Sequence, residues 1–160
     1  YSIVQWRDEV PEDYIDDIAA LDSSFLSETP LGDLEWEPEK VDADRLRKIA
    51  ATRRFYGVRE YNTGLRHDAT DRLVAWSGLN RHKTTPWHAG QGITLVDPRH
   101  RGHRLGTIAK IENLRLMLRN EPEVQVIDTW NAAVNDHMIA INEAMGFRAV
   151  DAFMSWQMNL

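Results

Sequence analysis

The stretch Ile93-Thr-Leu-Val-Asp-Pro-Arg-His-Arg-Gly-His-Arg-Leu-Gly-Thr107 decides how the chain is read. A β-branched run stops at Pro98, a basic loop follows, and Gly106 and Thr107 open a helical pattern. That order leaves unpaired backbone N–H groups at a helix N-terminus with arginines around them. Both the free donors and the helix dipole attract phosphate, so the loop reads as a diphosphate cradle. It is not a nucleoside-triphosphate loop, because no Lys-Ser/Thr pair follows the second glycine. Nor is it a dinucleotide fingerprint: the Gly-x-Gly-x-x-Gly spacing and the acidic ribose partner are both missing.

Pro98-x-x-Arg101-Gly102-x-Arg104-Leu105-Gly106 resembles the acetyl-CoA pyrophosphate loop of the GNAT N-acetyltransferase superfamily. There the pattern is Arg/Gln-x-x-Gly-x-Gly/Ala after a Val-x-Pro that ends a strand. Val96-Asp97-Pro98 matches the strand end, Arg101 the first position and Gly106 the last, with Gly102, His103 and Thr107 in the same loop. Arg104 stands where the family usually has its first glycine, and an alternative for it is to point outward and pair with a CoA phosphate. A second block follows at the required spacing. Val124 to Asn131 reads as a strand, and Asn135-x-x-Met138-x-x-Ile141-Asn142-x-x-x-Gly146-Phe147 resembles the family's Asn-x-x-Ala-x-x-Leu-Tyr-x-x-x-Gly-Phe helix. The two blocks cover residues 89–147. Their wording is most like actinobacterial members, including halves of tandem two-domain proteins.

Composition agrees with a small enzyme. A length of 160 residues suits one domain, here the whole of residues 1–160, and 42% hydrophobic content with six tryptophans can fill its core. The chain has no cysteine, which excludes disulfides, thiolate metal sites and a cysteine nucleophile and fits a cytoplasmic setting. No apolar run approaches the roughly 20 residues that span a bilayer, so no membrane partner is expected. The start, Tyr1-Ser-Ile-Val, has neither an initiator methionine nor a signal-peptide pattern, as expected for a piece of a longer protein.

Net charge is −6 and unevenly spread. Residues 28–44 carry Glu28, Asp33, Glu35, Glu37, Glu39, Asp42 and Asp44, while arginine and histidine gather at 99–104. An acidic lobe and a basic loop suit a cationic amine and a polyanionic co-substrate. The competing reading is that the acids solvate a loop and cap the next helix.

Local patterns predict a strand at Ser2–Arg7 and a helix opened by Pro11 with Tyr14, Ile18 and Leu21 on one stripe. An irregular connection is expected from Asp22 to Asp42, then a helix capped by Asp42 and running to Arg54 with Leu46, Ile49 and Ala50 inward. Phe55–Asn62, Leu73–Asn80 and Ala89–Val96 read as strands, and Thr107–Arg119 as a helix with Ile108, Ile111, Leu114 or Arg115, and Leu118 facing the core. Phe153–Met158 reads as a last strand. The fold class is therefore α/β (or α+β), with a mixed central sheet flanked by helices. The strands before and after the Thr107 helix run parallel through a right-handed crossover.

The resemblance implies that these two parallel strands splay apart at a bulge on the first. Thr94, Leu95 and Val96 then offer backbone groups to the pantetheine arm, and Gly90 and Gly92 let the strand bend. It also implies acetyl-CoA as co-substrate and a primary amine as acceptor, joined by direct attack in a ternary complex. Backbone N–H groups near Leu95 and Val96 are placed to hold the oxyanion. Two residues are candidates for taking the amine proton: His88, alternatively a solvent-exposed turn histidine, and Asp128, alternatively a polar residue on an exposed sheet position. Asn142 occupies the place of the family's tyrosine, which can give a proton to the sulfur; an asparagine amide can hydrogen-bond but is no acid at neutral pH. Asn131 and Asn135 match polar positions near the co-substrate, and Asn135 is equally suited to capping its helix.

Other constellations point away from further chemistry. His100-x-x-His103 lacks the ligands that would complete a metal set, so no metal is expected. The Arg99–Arg104 run is short and sits in an acidic chain, which argues against nucleic acid. Trp76, Trp87 and Trp130 read as core or sheet residues. The sequence thus points to a GNAT-fold N-acetyltransferase for a small cationic amine. The alternative is a non-catalytic acyl-CoA-binding half of a tandem protein, with a homodimer or a second GNAT domain as partner.

Overall fold

The computed structural model describes residues 1–28, 41–154 and 156–158, with only the backbone described at 25–28. Strand β1 (Ser2–Arg7) is followed by a 3-10 turn (Glu12–Tyr14), helix α1 (Ile15–Glu28) and helix α2 (Ala43–Phe55). An antiparallel run β2 (Val58–His67), β3 (Arg72–His82) and β4 (His88–Val96) leads through the basic loop to α3 (Leu105–Asn120), β5 (Val126–Asp128) and α4 (Asp136–Ala144). The five strands form one mixed sheet in the order β1-β2-β3-β4-β5, antiparallel except for the parallel pair β4–β5. The mixed sheet with helices on both faces is the expected fold class.

Side-chain alternation sorts the core into two sides. Ile15, Ile18, Leu21 and Leu46 of α1 and α2 pack with Trp6 and Leu73 on one face. On the other, Leu105 and Ala109 of α3 meet Leu65, Val74 and Ala75, and Met117 meets Tyr61, Leu79 and Ala89. Helix α3 thus runs back along the sheet, its start over the end of β4 and its last turns over the beginning. The buried Glu121 fixes its far end by taking the Tyr61 hydroxyl and Arg81 at 2.6 Å.

Several boundaries differ from the sequence expectation, each for a local reason. Helix α1 continues through Asp22 to Glu28, so the connection is shorter than Asp22–Asp42; residues 29–40 lie outside the described residues. Asp42 does cap α2, accepting from the Arg45 N–H at 2.9 Å. That helix runs on through Phe55, and Gly57, with a left-handed φ of 77°, ends it and delays β2 to Val58. β5 is only three residues long, and no strand is present at Phe153, Met154 or 156–158, where the described apolar side chains are exposed.

The largest correction concerns α3. Ile108, Ile111 and Leu118 are 38%, 36% and 44% exposed, whereas Lys110 and Asn113 are buried. Small residues and matched polar groups chose the inner face. Gly106 and Ala109 allow close approach, and the Asn113 amide donates to the Tyr61 carbonyl (2.8 Å) while accepting from the Thr63 hydroxyl (3.2 Å). An unmatched Asn113 would cost more than a half-exposed isoleucine.

Lys110 has no such match. It is 1% exposed, and burial lowers its pKa from the ordinary 10.5 to about 8. Between these two values the unfolded chain holds a proton that the folded chain lacks, so Lys110 makes stability rise with pH across that window. The Lys110→Met variant is accordingly expected to be more stable than the parent near pH 7, by up to about 3 kcal/mol. Denaturant unfolding at about pH 7 and about pH 9.5 checks this: the advantage must shrink at the higher pH. An advantage independent of pH would mean that the charge is not its cause.

Candidate active site

The site is built around a break in the ladder between β3 and β4. Thr94 pairs with Ser77 and Gln91 with Leu79, so Gly92 and Ile93 together stand against the single Gly78. This is a β-bulge, the device that bends a strand and frees backbone groups. A Cβ on Gly92 would lie 3.3 Å from the Gly78 carbonyl oxygen, a close approach that favours glycine. The buried Gln91 amide fills the gap, its Nε2 donating to the carbonyls of Gly78 (2.7 Å) and Gly92 (3.2 Å) and to the Ser77 hydroxyl (3.3 Å). Ser77 in turn lies 3.0 Å from the Thr94 hydroxyl.

β5 pairs with β4 only at His88–Gly90, opposite Val126–Asp128. Past Gly90 the two strands have no ladder, and a wedge opens at the bulge. Thr94, Leu95 and Val96 therefore line its β4 side, paired to β3 but not to β5. The Arg101 Nε donates to the Val96 carbonyl at 3.3 Å.

Beyond the wedge, Asp97 starts a 3-10 turn at Pro98–His100. Its carboxylate accepts from the Arg99 N–H (2.9 Å) and pairs with the Arg99 guanidinium (2.7 Å), which holds its pKa down at about 2. Gly102 and Arg104 both adopt positive φ, 83° and 58°. Arg104 thus keeps the left-handed backbone that a glycine would take, while its side chain is exposed. As N-cap of α3 it supplies no capping acceptor, so the first N–H groups of the helix face the loop. Gly106 lets the helix settle on the strand, its missing Cβ 3.3 Å from Val96 Cγ2 and 3.5 Å from Thr94 Cγ2. Arg101, Gly102 and His103 are exposed and Thr107 is half-buried, so the loop residues gather at the mouth of the wedge.

The two base candidates meet. His88 Nε2 and Asp128 Oδ2 are 2.7 Å apart, both partly exposed. Their neighbours Ala89 and Ile127 face α3, so this pair faces the side of the sheet that carries α1 and α2. Asn142 is 4% exposed with neither amide atom hydrogen-bonded. Asn135 caps α4, accepting from the Met138 N–H at 3.2 Å, and Asn131 is exposed beside an exposed Trp130. His100 lies 3.0 Å from the Tyr1 hydroxyl, and among the described residues no three His, Asp or Glu side chains converge as metal ligands. Of the acidic stretch, Asp42 caps α2 and Asp44 pairs with Arg47 at 2.7 Å, while 29–40 lie outside the described residues. A cavity of about 260 Å³ near Leu46 lies away from the wedge, and the arginines lining it, Arg47 and Arg54, are paired with Glu12 and Glu9.

Gln91 and Lys110 escaped the sequence reading. The signal for Gln91 was a lone amide between two glycines in an apolar strand, and for Lys110 a polar pair with Asn113 on the small-residue side of α3.

No family model matches the chain, and no curated protein is detectably similar to it. Solved structures are. A tandem GNAT protein from the clavulanic acid biosynthesis pathway is 36% identical over 91% of this chain, with a TM-score of 0.76. The chain belongs to the GNAT acetyltransferase superfamily. It spans 41% of the length of that tandem protein. The PaiA N-acetyltransferase from Thermoplasma acidophilum, solved in complex with coenzyme A, shares the fold at 13% identity (96% of this chain, 94% of that one, TM-score 0.71). So does a ribosomal-protein-alanine N-acetyltransferase from Brucella melitensis, at 14% identity (89% and 84%, TM-score 0.67).

The bulge analysis makes Gln91 the clasp of the wedge. Gln91→Leu removes three hydrogen bonds and leaves the Gly78 and Gly92 carbonyls unsatisfied. Amide hydrogen exchange at Ile93 and Thr94 is expected to accelerate at least about tenfold, corresponding to roughly 1.4 kcal/mol of local opening. Unchanged exchange at those amides would show that the bulge holds without it.

Proposed function

We propose that the chain transfers an acetyl group from acetyl-CoA to a primary amine. The observation that carries this reading is the alignment of three features: the open wedge, the uncapped start of α3 at its mouth, and the His88–Asp128 pair beside its closed end. The CoA diphosphate would take the first N–H groups of α3 with Arg101 and Arg104, a favourable place for anionic charge. The pantetheine arm would lie along Thr94, Leu95 and Val96, which have no ladder with β5. A N–H near Leu95 or Val96 would hold the carbonyl oxygen as it gains charge.

His88 would then receive the amine proton. Asp128, hydrogen-bonded to one ring nitrogen, sets the tautomer and leaves the other nitrogen to face the acceptor. Because the pair faces the side that carries α1 and α2, the amine would approach from that side. The acidic stretch joining those helices supports a cationic small molecule as acceptor. The similarity to 41% of a tandem protein supports a second GNAT domain as the partner of this one.

Calorimetric titration with acetyl-CoA tests the reading, followed by assay of CoA release with a panel of amines. Micromolar binding with amine-dependent turnover is expected, and absence of binding would overturn it. Binding without turnover on any amine would favour a non-catalytic half of a tandem protein.

Two sets of variants separate the parts. Arg101→Ala with Arg104→Ala should weaken acetyl-CoA binding by about tenfold or more, each charged contact contributing on the order of 1 kcal/mol. His88→Gln should leave that affinity unchanged and lower kcat by about 10²-fold, the usual worth of a positioned base. Asp128→Asn should cost less, since the imidazole remains. Equal loss of affinity and rate in His88→Gln would refute the base assignment.

A further inference from the structure

Four charged side chains are buried among the described residues: Asp17, Arg81, Lys110 and Glu121. Asp17 pairs with Arg72, and Arg81 pairs with Glu121. Lys110 has no carboxylate; its described neighbour is the ring of Phe147, 5.6 Å from the ammonium to the centroid. Of the buried amides, Asn62, Gln91 and Asn113 are hydrogen-bonded, and Asn142 is bonded through neither atom. Leaving a cation and an amide unmatched in the interior costs several kcal/mol. Phe147 links the two in the fold. The Phe147 N–H donates to the Asn142 carbonyl at 3.0 Å, and the Phe147 ring lies under the Lys110 ammonium.

Their level in the sheet follows from the run of α3. Gly106 sits on Thr94 and Val96, and Met117 packs with Ala89. Position 110 therefore falls level with the bulge at Gly92 and Ile93. Gln5 of β1 donates to the Glu112 carbonyl at 3.1 Å, so Glu112 marks the β1 side of α3 and Lys110, two residues earlier, lies on the opposite side, toward β4. It approaches on the α3 side, opposite the His88–Asp128 pair.

We propose that Lys110, with Asn142 beside it, is the proton donor to the departing CoA sulfur. This rests on the acetyl-CoA reading above. As the amine nitrogen forms its bond to the acetyl carbon, the carbon–sulfur bond breaks and its electron pair stays on sulfur. The Lys110 ammonium gives that sulfur a proton, and the Asn142 amide N–H donates a hydrogen bond to it. His88 takes the proton released by the amine on the opposite face. Solvent restores the proton to Lys110 and receives the one held by His88, so the exchange balances.

Among the described residues no other titratable group is placed for the task. Asn142 has no acidic proton at neutral pH. Glu112 of α3 is held by Arg115 at 2.6 Å, and Asp136, His137 and Glu143 of α4 are exposed. On β4 and β5 the titratable groups are His88 and Asp128, paired with each other on the far face. Burial brings the Lys110 ammonium close to the ordinary pKa of a thiol, about 8.5, which suits proton exchange between the two.

The test reads the thiol of bound CoA and needs no acceptor. Calorimetry first gives the CoA affinity, and ultraviolet thiolate absorbance of the complex is then followed against pH. For the parent protein the thiolate fraction of bound CoA near pH 7.5 should exceed that of free CoA by about tenfold, as expected beside a cation. Lys110→Met should abolish the excess, with CoA affinity falling by no more than the roughly tenfold that loss of the thiolate preference itself implies. Asn142→Leu, on a different helix, should reduce it. A parent-like thiol titration in Lys110→Met overturns the proposal. Failure of the parent to bind CoA would instead remove the acetyl-CoA reading, and this proposal with it.

Discussion

Two residues of β4, Gly92 and Ile93, face one residue of β3, and the rest of the site depends on that mismatch. A strand shifted by one residue exchanges its two faces. Upstream of the bulge, Ala89 and Gln91 point to α3; downstream, Thr94 and Val96 do so, and Leu95 joins the core under α1. Without the extra residue Leu95, not Thr94, would meet the start of α3, and Gly106 would have no methyl groups to rest on. The bulge also ends the register with β5, so the wedge and the seating of the basic loop have one origin. Gln91 stabilises this arrangement by giving the stranded carbonyls a donor.

The sheet stands between the two groups proposed to move protons. The imidazole–carboxylate pair stands on the side of α1 and α2, whereas the buried Lys110 ammonium stands on the side of α3. A base that removes a proton and an acid that supplies one would neutralise each other if they touched. Separation by the thickness of a sheet keeps both protonation states available at one pH. The interior cation destabilises the fold below its lowered pKa of about 8, a cost that the proposed proton transfer would account for.

Much of this was legible in the sequence. Strand endings and turn residues marked β1, β3, β4 and the loop, and the order of Pro98, Arg101, Gly102 and Gly106 marked the turn into α3 because it is a local pattern. The inner face of α3 was not legible, since its apolar stripe of Ile108, Ile111 and Leu118 competes with a face whose polar members are satisfied only by Tyr61 and Thr63, some fifty residues away in sequence. His88 and Asp128 were each readable as a base, but as rivals. Their partnership depends on the parallel register of β4 and β5, which no short-range signal encodes. The same is true of Lys110 and Phe147, brought together only by the tertiary fold.

Arg104 shows how a departure from a family pattern can be absorbed. The loop requires a left-handed residue before α3, and an arginine there costs on the order of 1 kcal/mol relative to glycine. The chain keeps Gly102 at the other left-handed position, so the turn bears this strain once. In return the side chain that glycine lacks stands exposed beside the uncapped first turn of α3. A cation at that end of a helix is opposed by the dipole. Arginine at this position therefore weakens both the backbone preference and the helix terminus of the free protein. Both penalties are offset when an anion binds, because the same N–H groups and the same guanidinium then share one partner. The conformation of Arg104 is thus better suited to a loop that holds phosphate than to one that merely connects a strand to a helix.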